Sequence, residues 1–312
     1  MLESQALGQL LKKRVFLKLD NCQPSGSFKL RGIGNACKKA VENGATHLVT
    51  SSGGNAGLAV GYSARKLGIP GTCFVPESTP LYMRERLSAE GLQVNVSGKV
   101  WAEAHEEAMK FLNKVNETSK AEYIHPFDHP DVVEGHSSVI TELKDQLPSQ
   151  PDLVIVAVGG GGYFSGVCHG LKNHGWESTR VLAMETHGAN KLEQSLQCKE
   201  KVTLAGINTI AKSLGALAVS DTAFAYSQEM RVIGRSVSDE EVFNACVRFM
   251  DHHKFLVEAA CGAALAALYS GRLPEFLGAE YDDVQSICVL VCGGLMTQIS
   301  NEVQEALRPA FF

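Results

Sequence analysis

Twice in this sequence, a short run of apolar residues leads directly into clustered glycines and then into a segment of helical periodicity. The first copy is HLVTSSGGNAGLAVGYSARK, residues 47–66, and the second is LVIVAVGGGGYFSGVCHGLK, residues 153–172. A strand, a glycine loop and a helix in this order place the loop at the carboxyl end of a parallel strand. The repeat therefore predicts two binding loops, or two walls of one site.

Short Val- and Ile-rich runs alternate with longer helical segments along the chain, which is typical of strands joined by crossover helices. The pattern predicts an α/β protein with a parallel sheet. Segments 153–158 and 287–291 are apolar at nearly every position, as expected for strands covered on both faces. The predicted strands are 15–19, 47–49, 73–75, 94–96, 153–158, 181–184 and 287–291. The predicted helices are 55–66, 83–90, 101–119, 132–146, 238–254 and 259–270, with a capping box at Ser238 and Glu241.

Composition limits the classes of function. A chain of 312 residues is long enough for about two domains of roughly 100 to 200 residues. The net charge is −5 and no dense basic run is present, so nucleic acid is not an expected partner. We expect no membrane span, because no run of about 18 uncharged apolar residues occurs, and we find no targeting segment. Nine scattered cysteines without a CxxC pair predict reduced thiols and a cytoplasmic protein.

The second glycine loop, Gly159–Gly162, is a candidate anion site. Successive glycines let backbone N–H groups converge on a phosphate at a helix N-terminus. A dinucleotide loop is the main competitor, since Gly160-x-Gly162-x-x-Ser165 nearly matches GxGxxG. No acidic residue follows in a clear ribose-binding context, and Glu185 comes closest. A tight turn that serves only close helix packing is the third alternative.

The first glycine loop combines hydroxyls, free amides and the carboxamide of Asn55, which suits a carboxylate. The same residues also suit a cap on a buried helix. Upstream, PSGSFKLRG places Lys29 beside Phe28 at the predicted start of a helix. A lysine partly desolvated at a helix N-terminus has a depressed pKa and is a usable amine nucleophile. Most lysines, however, are solvated surface charges.

Taken together, these segments resemble the fold-type II pyridoxal-phosphate (PLP) enzymes, which are tryptophan synthase β-like, and among them the serine/threonine dehydratases. Eight motifs occur in the order of that family: PSGSFKLRG, SSGGNAG, HPFDHPDVVEGHSS, VGGGG, METHGA, AKSLGA, VEAACGAALAA and VCGG. The resemblance implies two domains, each with a twisted, mainly parallel sheet flanked by helices. The small domain would span residues 29–127, inserted into a large PLP-binding domain of residues 1–28 and 128–312.

The resemblance also implies roles for individual residues. Lys29 would carry PLP covalently and act as the catalytic base. The other cofactor-binding residues would be Phe28, Asn55, Gly159, Gly160, Gly161, Gly162, Tyr163, Ser213 and Cys292, with Phe28 and Ser213 on the two sides of the ring. Cys292 would face the pyridine nitrogen as a thiol, a weak donor, whereas Cys288 is expected to be core packing. The substrate carboxylate would be bound by Ser52, Gly53, Asn55 and Ala56.

Among the departures from the family pattern, two concern residues of the proposed site. The family's monovalent-cation site, a potassium site, would use Gly159, Glu185, Ala189, Leu214 and Ala216, but Lys191 stands where a serine is usual. Its ammonium either occupies or weakens that site, or lies on the surface. Gly53 stands where serine racemases carry a serine, so racemisation is expected to be negligible beside elimination.

The activity that the resemblance implies is that of an L-serine/L-threonine ammonia-lyase, a dehydratase that forms pyruvate or 2-oxobutyrate plus ammonia. A homodimer with a small amino-acid substrate is expected from the same resemblance. Two alternatives stay open at this point. One is a β-replacement enzyme of the cysteine or cystathionine synthase type, and the other is a weakly active PLP-binding paralogue with a sensor or partner role.

Overall fold

A computed structural model describes residues 1–294, and residues 295–312 lie outside it. The strands are β1 (Leu2–Glu3), β2 (Arg14–Leu19), β3 (His47–Thr50), β4 (Gly71–Val75), β5 (Leu92–Val96), β6 (Ala121–Tyr123), β7 (Leu153–Ala157), β8 (Arg180–Thr186), β9 (Val232–Val237) and β10 (Ser286–Val291). The helices are α1 (Gln5–Leu11), α2 (Lys29–Glu42), α3 (Asn55–Leu67), α4 (Leu81–Ala89), α5 (Trp101–Val115), α6 (Pro130–Gln146), α7 (Gly162–Asn173), α8 (Lys191–Cys198), α9 (Asp221–Glu229), α10 (Asp239–His253), α11 (Ala259–Tyr269) and α12 (Leu273–Leu277).

The described strands form two sheets. The larger has the order β1-β2-β10-β7-β8-β9, and it is parallel except for β1, which pairs antiparallel with β2. The smaller has the order β5-β4-β3-β6 and is parallel throughout. The predicted α/β class with parallel sheets is therefore confirmed.

Burial explains the strand sequences. Strand β7 is buried at all five positions, and β10 at all but its first residue, as expected for central strands covered on both faces. Helix α11, AACGAALAALY, is buried on nearly all sides. Across residues 1–294, no helix combines the length and the apolar character that crossing a membrane requires.

All strands of the smaller sheet lie between residues 47 and 123, inside the range predicted for the inserted domain. Helix α2 packs closely on α6, which follows that range. A Cβ at Gly32 would lie only 2.5 Å from the Val132 carbonyl oxygen, and Gly32 N–H donates to His136 Nδ1 at 3.1 Å. The domain boundaries at residues 28/29 and 127/128 stay a prediction, and the end of the large domain lies outside the described residues.

The carboxyl ends of the parallel strands position the loops. Strand β3 ends at Thr50 and α3 begins at Asn55, whereas β7 ends at Ala157 and α7 begins at Gly162. Each glycine cluster therefore fills a strand-to-helix connection, as the repeat predicts. Strand β10 leads directly into Cys292.

Candidate functional site

A cleft of about 670 Å³ lies at these strand ends and draws its walls from both sheets. The glycine loop after β7 forms one wall, and the loop before α3 forms another. From the sequence-predicted residues, the cleft brings together Phe28, Lys29, Ser52, Asn55, Ala56, Gly159, Gly160, Gly161, Gly162, Tyr163, Leu214, Ala216, Ser213 and Cys292. It also contains Glu258 and Trp101, which the sequence patterns do not single out.

Lys29 is the first residue of α2 and lies in this cleft. Its Nζ donates to the Pro126 carbonyl oxygen at 2.5 Å and lies 5.2 Å from the centroid of the Phe28 ring. Burial lowers the pKa of the Lys29 amine from 10.5 to about 8, although the nearby Cys292 and Glu258 oppose this shift. A substantial fraction of the amine is therefore neutral near physiological pH and able to act as a nucleophile or base.

The segment before Lys29 is fixed to the end of the larger sheet. Ser27 forms an isolated antiparallel bridge with Gly293, and Phe28 N–H donates to the Cys292 carbonyl oxygen at 2.9 Å. Gly26 has a φ of 75°, a conformation that glycine adopts without strain. The chain therefore turns sharply just before α2 and places Lys29 beside the end of β10.

An ion-pair network holds the first turn of α2. Arg31 donates to both carboxylate oxygens of Asp20, at 2.7 and 2.8 Å, and to both of Glu142, each at 2.8 Å. Tyr163 Oη donates to Asp20 at 2.5 Å, and its ring stacks on Phe28 with centroids 4.1 Å apart. The side chain of Tyr163 thus supports one face of the Phe28 ring. The predicted placement of the PLP ring between Phe28 and Ser213 stays a prediction.

The glycine loop after β7 has the geometry of an anion site. Gly161 precedes α7 with a φ of 94°, and a Cβ there would lie 2.4 Å from the Cβ of Ala223. A Cβ at Gly160 would lie 2.6 Å from the Phe127 ring, and one at Gly162 would lie 2.5 Å from the Phe127 carbonyl oxygen. Only glycines therefore fit this backbone. The first N–H groups of α7 have no acceptor within the helix, so they are available to an anion.

The loop before α3 contributes Ser52, Gly54, Asn55 and Ala56 to the cleft. Gly53 lies in the same loop but packs toward Thr79, whose side chain would be 3.0 Å from a Cβ at this position. Of the residues proposed for the substrate carboxylate, three therefore line the cleft directly. Gly53 instead lets the loop approach the segment after β4.

Glu258 joins the two walls, and sequence reasoning missed it. Its carboxylate accepts hydrogen bonds from Asn55 Nδ2 at 2.8 Å and from Ser213 Oγ at 2.9 Å. The side chain is buried, and this burial raises its pKa, while its two donors and Lys29 oppose the shift. The sequence feature that could have identified it is an acidic residue directly before the apolar helix α11, within VEAACGAALAA.

Cys292 lies at the end of β10, lines the cleft and is only 5% exposed. A hydrogen bond with Cys261 and burial raise the pKa of its thiol well above the ordinary value. Cys292 is therefore a neutral thiol at physiological pH. Cys288 is fully buried in the core, in agreement with its prediction as core packing.

Three of the five predicted cation ligands, Glu185, Ala189 and Leu214, contact the ammonium of Lys191. Its Nζ lies 3.0 Å from Glu185 Oε1, 2.9 Å from the Ala189 carbonyl oxygen and 3.1 Å from that of Leu214. A fourth contact, at 3.1 Å, is the carbonyl oxygen of Val158, the residue before Gly159. Lys191 is completely buried, so the alternative that it is a surface lysine is wrong.

The chemistry of the cleft fits PLP, the cofactor implied by the resemblance. The glycine loop supplies amide donors for a phosphate, and Lys29 supplies an amine whose lowered pKa makes its neutral form available to an aldehyde. Within residues 1–294, Asn55 Oδ1 is buried and has no hydrogen-bond partner, although its amide nitrogen is held by Glu258. A buried acceptor without a partner is costly, and it marks a place where a bound ligand can donate.

Comparisons with known proteins agree with this geometry. Residues 1–293 match the family described as "Pyridoxal-phosphate dependent enzyme". The chain is 44% identical to the mouse (Mus musculus) protein "Serine dehydratase-like" over 310 residues, which are 99% of this chain and 92% of that protein. It is also 44% identical to the mouse "L-serine dehydratase/L-threonine deaminase", covering 98% of this chain and 93% of the relative.

Among solved structures, the L-serine ammonia-lyase of the fungus Rhizomucor miehei superposes with a TM-score of 0.87 at 35% identity. The match covers 100% of this chain and 97% of the fungal one. The predicted fold-type II architecture is confirmed by this similarity. The chain therefore belongs to the family of pyridoxal-phosphate-dependent enzymes, in the group that contains serine dehydratases and serine dehydratase-like proteins.

Proposed function

We propose that this protein is a PLP-dependent L-serine/L-threonine ammonia-lyase. It would convert L-serine into pyruvate and ammonia, and L-threonine into 2-oxobutyrate and ammonia. The observation that carries the proposal is Lys29: an amine with a pKa of about 8 lies in a cleft between an anion-binding glycine loop and a loop of hydroxyl and amide groups. The names of relatives that are 44% identical over nearly the whole chain support the same activity.

Each wall of the cleft has a proposed task. The amides of Gly159–Gly162 and Tyr163 would bind the cofactor phosphate, and Lys29 would hold the cofactor covalently between turnovers. Bound PLP supplies an electron sink that acidifies the Cα proton of the amino acid. Ser52, Gly53, Asn55 and Ala56 would bind and orient the substrate carboxylate.

Proton transfer is assigned to Lys29. In its neutral form, the Lys29 amine would accept the Cα proton of the bound amino acid. Glu258 holds Asn55 and Ser213 at fixed positions on two sides of the cleft. Cys292 is proposed to lie beside the pyridine nitrogen as a neutral thiol, a weak donor that would make bound PLP a weaker electron sink than a carboxylate partner would.

We further propose a cytoplasmic homodimer that acts in amino-acid catabolism. The nine free cysteines, of which six are buried, support a reducing compartment. The oligomeric state can be measured by light scattering coupled to gel filtration, for which we expect about twice the 33.6 kDa mass of one chain. A monomer at micromolar concentration would contradict the homodimer.

The activity is tested by incubating the PLP-reconstituted protein with L-serine and with L-threonine, and by measuring 2-oxo acid and ammonia in parallel. We expect equal amounts of the two products from each amino acid. Tight PLP binding without ammonia release would instead support the sensor alternative. A requirement for an added thiol or sulfide co-substrate would support β-replacement.

A further inference from the structure

Lys191 is a fully buried lysine outside the cleft that none of the proposed catalytic steps uses. It begins α8, and its Nζ lies within 2.9–3.1 Å of four oxygen atoms. Three are backbone carbonyl oxygens, of Val158, Ala189 and Leu214, and the fourth is Glu185 Oε1. This shell of converging oxygens is the kind of environment that proteins build around a bound cation.

The hydrogen bonds define the charge of the pair. A lysine ammonium has three N–H donors and no acceptor, so only the charged form suits a shell that consists entirely of oxygen acceptors. Glu185 accepts from the amides of Leu192 at 3.1 Å and Glu193 at 2.8 Å, besides Lys191. Three donors indicate an ionised carboxylate. Burial lowers the pKa of Lys191 and raises that of Glu185, while the opposite charge beside each group counteracts the shift.

The ammonium connects backbone segments that form the cleft. Val158 directly precedes the glycine loop, and Leu214 directly follows Ser213, whose hydroxyl donates to Glu258. The two segments also touch, because a Cβ at Gly159 would lie 2.9 Å from the Ser213 carbonyl oxygen. The position of Lys191 Nζ therefore sets the spacing between the glycine loop and the neighbouring segment at Ser213 and Leu214.

A potassium ion does not fit beside this side chain. The ammonium nitrogen already lies at contact distance from Glu185, Ala189 and Leu214, three of the five groups predicted to bind such an ion. A second cation would share these ligands and be repelled at short range by the ammonium. The Lys191 ammonium therefore supplies the positive charge and also fills the space between these oxygens.

We propose that the Lys191 ammonium is an internal substitute for a bound monovalent cation, and that it positions the glycine loop without any ion. Lys191 is thus a positioning residue, and the protein is independent of potassium. This proposal deepens the proposed function. Only the expected effect on ammonia release rests on that function. Its structural part is tested by stability and cofactor affinity, which need no substrate.

The wild-type holoenzyme provides the first test. Its thermal unfolding midpoint and its PLP dissociation constant are measured in chloride salts of potassium, sodium and tetramethylammonium at equal ionic strength. We expect the same values in all three salts, and the same rate of ammonia release from L-serine. A saturable, potassium-specific rise in the unfolding midpoint or in PLP affinity would overturn the proposal, whether or not the protein releases ammonia.

Two variants separate the effect of the Lys191 charge from the effect of the volume of its side chain. Lys191→Ser empties the shell, so in tetramethylammonium we expect a lower unfolding midpoint and PLP affinity reduced about 10-fold or more. Potassium should restore both in a saturable manner. Lys191→Met fills the space without charge and should be destabilised without any response to potassium. As a surface control, Lys38→Ser should behave like the wild type in every salt.

The variant results also decide the proposal. If Lys191→Ser keeps wild-type stability and PLP affinity in tetramethylammonium, the ammonium has no positioning role. If the variant is weakened but potassium restores nothing, the shell does not accept a cation, and the substitution proposal is wrong. If Lys191→Ser does not fold, the wild-type salt comparison still tests the prediction of potassium independence.

Discussion

Lys29 shows how a single residue combines a local signal with a long-range cause. The sequence places it beside Phe28 at a helix start, and both features predict a depressed pKa. In the structure, the dominant cause is burial in the cleft, and the neighbouring Cys292 and Glu258 act in the opposite direction. These two residues lie more than 200 positions away in the chain, so no pattern close to Lys29 shows that they oppose the shift.

The pKa of Lys29 predicts a pH dependence for cofactor capture. Below about pH 8 most of the amine is protonated and unreactive, and above it most of the amine is neutral. The rate at which cofactor-free protein captures PLP should therefore rise with pH with a midpoint near 8, measured by stopped-flow absorbance. Lys38→Ala, on the exposed face of the same helix, should give the same profile. A midpoint near 10.5 would contradict the burial of Lys29.

Glu258 offers a second prediction at the same scale. Its carboxylate raises the pKa of Lys29, so Glu258→Gln should move the midpoint of that pH profile below about 8. The glutamine also replaces an ionisable carboxylate, which accepts hydrogen bonds from Asn55 and Ser213 with its two oxygens, by a neutral amide that has only one acceptor oxygen. We expect a loss of about 1–3 kcal/mol in the free energy of unfolding, measured by urea denaturation. The same substitution at exposed Glu85 should change neither quantity, and a midpoint that rises in Glu258→Gln would contradict this role.

At the scale of elements, the glycine loop depends on one left-handed residue. Gly161→Ala introduces about 1–2 kcal/mol of backbone strain and places a Cβ 2.4 Å from that of Ala223. Gly91 has a similar φ of 97°, but a Cβ added there would meet nothing within 4 Å, so Gly91→Ala adds strain alone. Both variants should lose stability, but only Gly161→Ala should bind PLP about 10-fold or more weakly. Equal PLP affinity in the two variants would contradict the assignment of this loop to the cofactor site.

The elements differ in how far sequence predicts them. Strands β7 and β10 are continuous apolar runs, and their positions are confirmed within one residue at each end. The capping box at Ser238 and Glu241 is confirmed as well. Strands β6 and β9 are not predicted, because β6 has three residues and β9 carries Gly234 and Arg235 in its centre. The helix predicted over 101–119 ends at Val115, and a turn follows it.

The residues of the candidate site also differ in how far the sequence predicts them. Motifs predict the residues that belong to a loop or a helix start, such as Lys29, Asn55 and Gly159–Gly162, and the structure brings these into one cleft. The supporting contacts of Asp20 with Tyr163, and of Glu258 with Asn55, join distant segments. Because these pairings depend on the tertiary fold, no spacing in the sequence reveals them.

On the scale of the whole molecule, the cleft lies between the two sheets, and Asn55 and Glu258 bond across it. A cofactor bound there should stabilise both sides together. We expect PLP to slow amide hydrogen exchange in residues 51–56 and in residues 159–163. The exposed face of α10 should be unaffected and serves as the internal control. Protection confined to the glycine loop would contradict a site built from both sheets.

The central claim is that Lys29 performs ammonia release from L-serine with PLP. The most direct measurement is the rate of pyruvate and ammonia formation by the PLP-saturated wild type, Lys29→Ala and Lys38→Ala, with folding checked by circular dichroism. We predict equal amounts of both products from the wild type and Lys38→Ala, and a loss of at least about 1,000-fold in Lys29→Ala. Undiminished ammonia release by a folded Lys29→Ala protein would contradict the account.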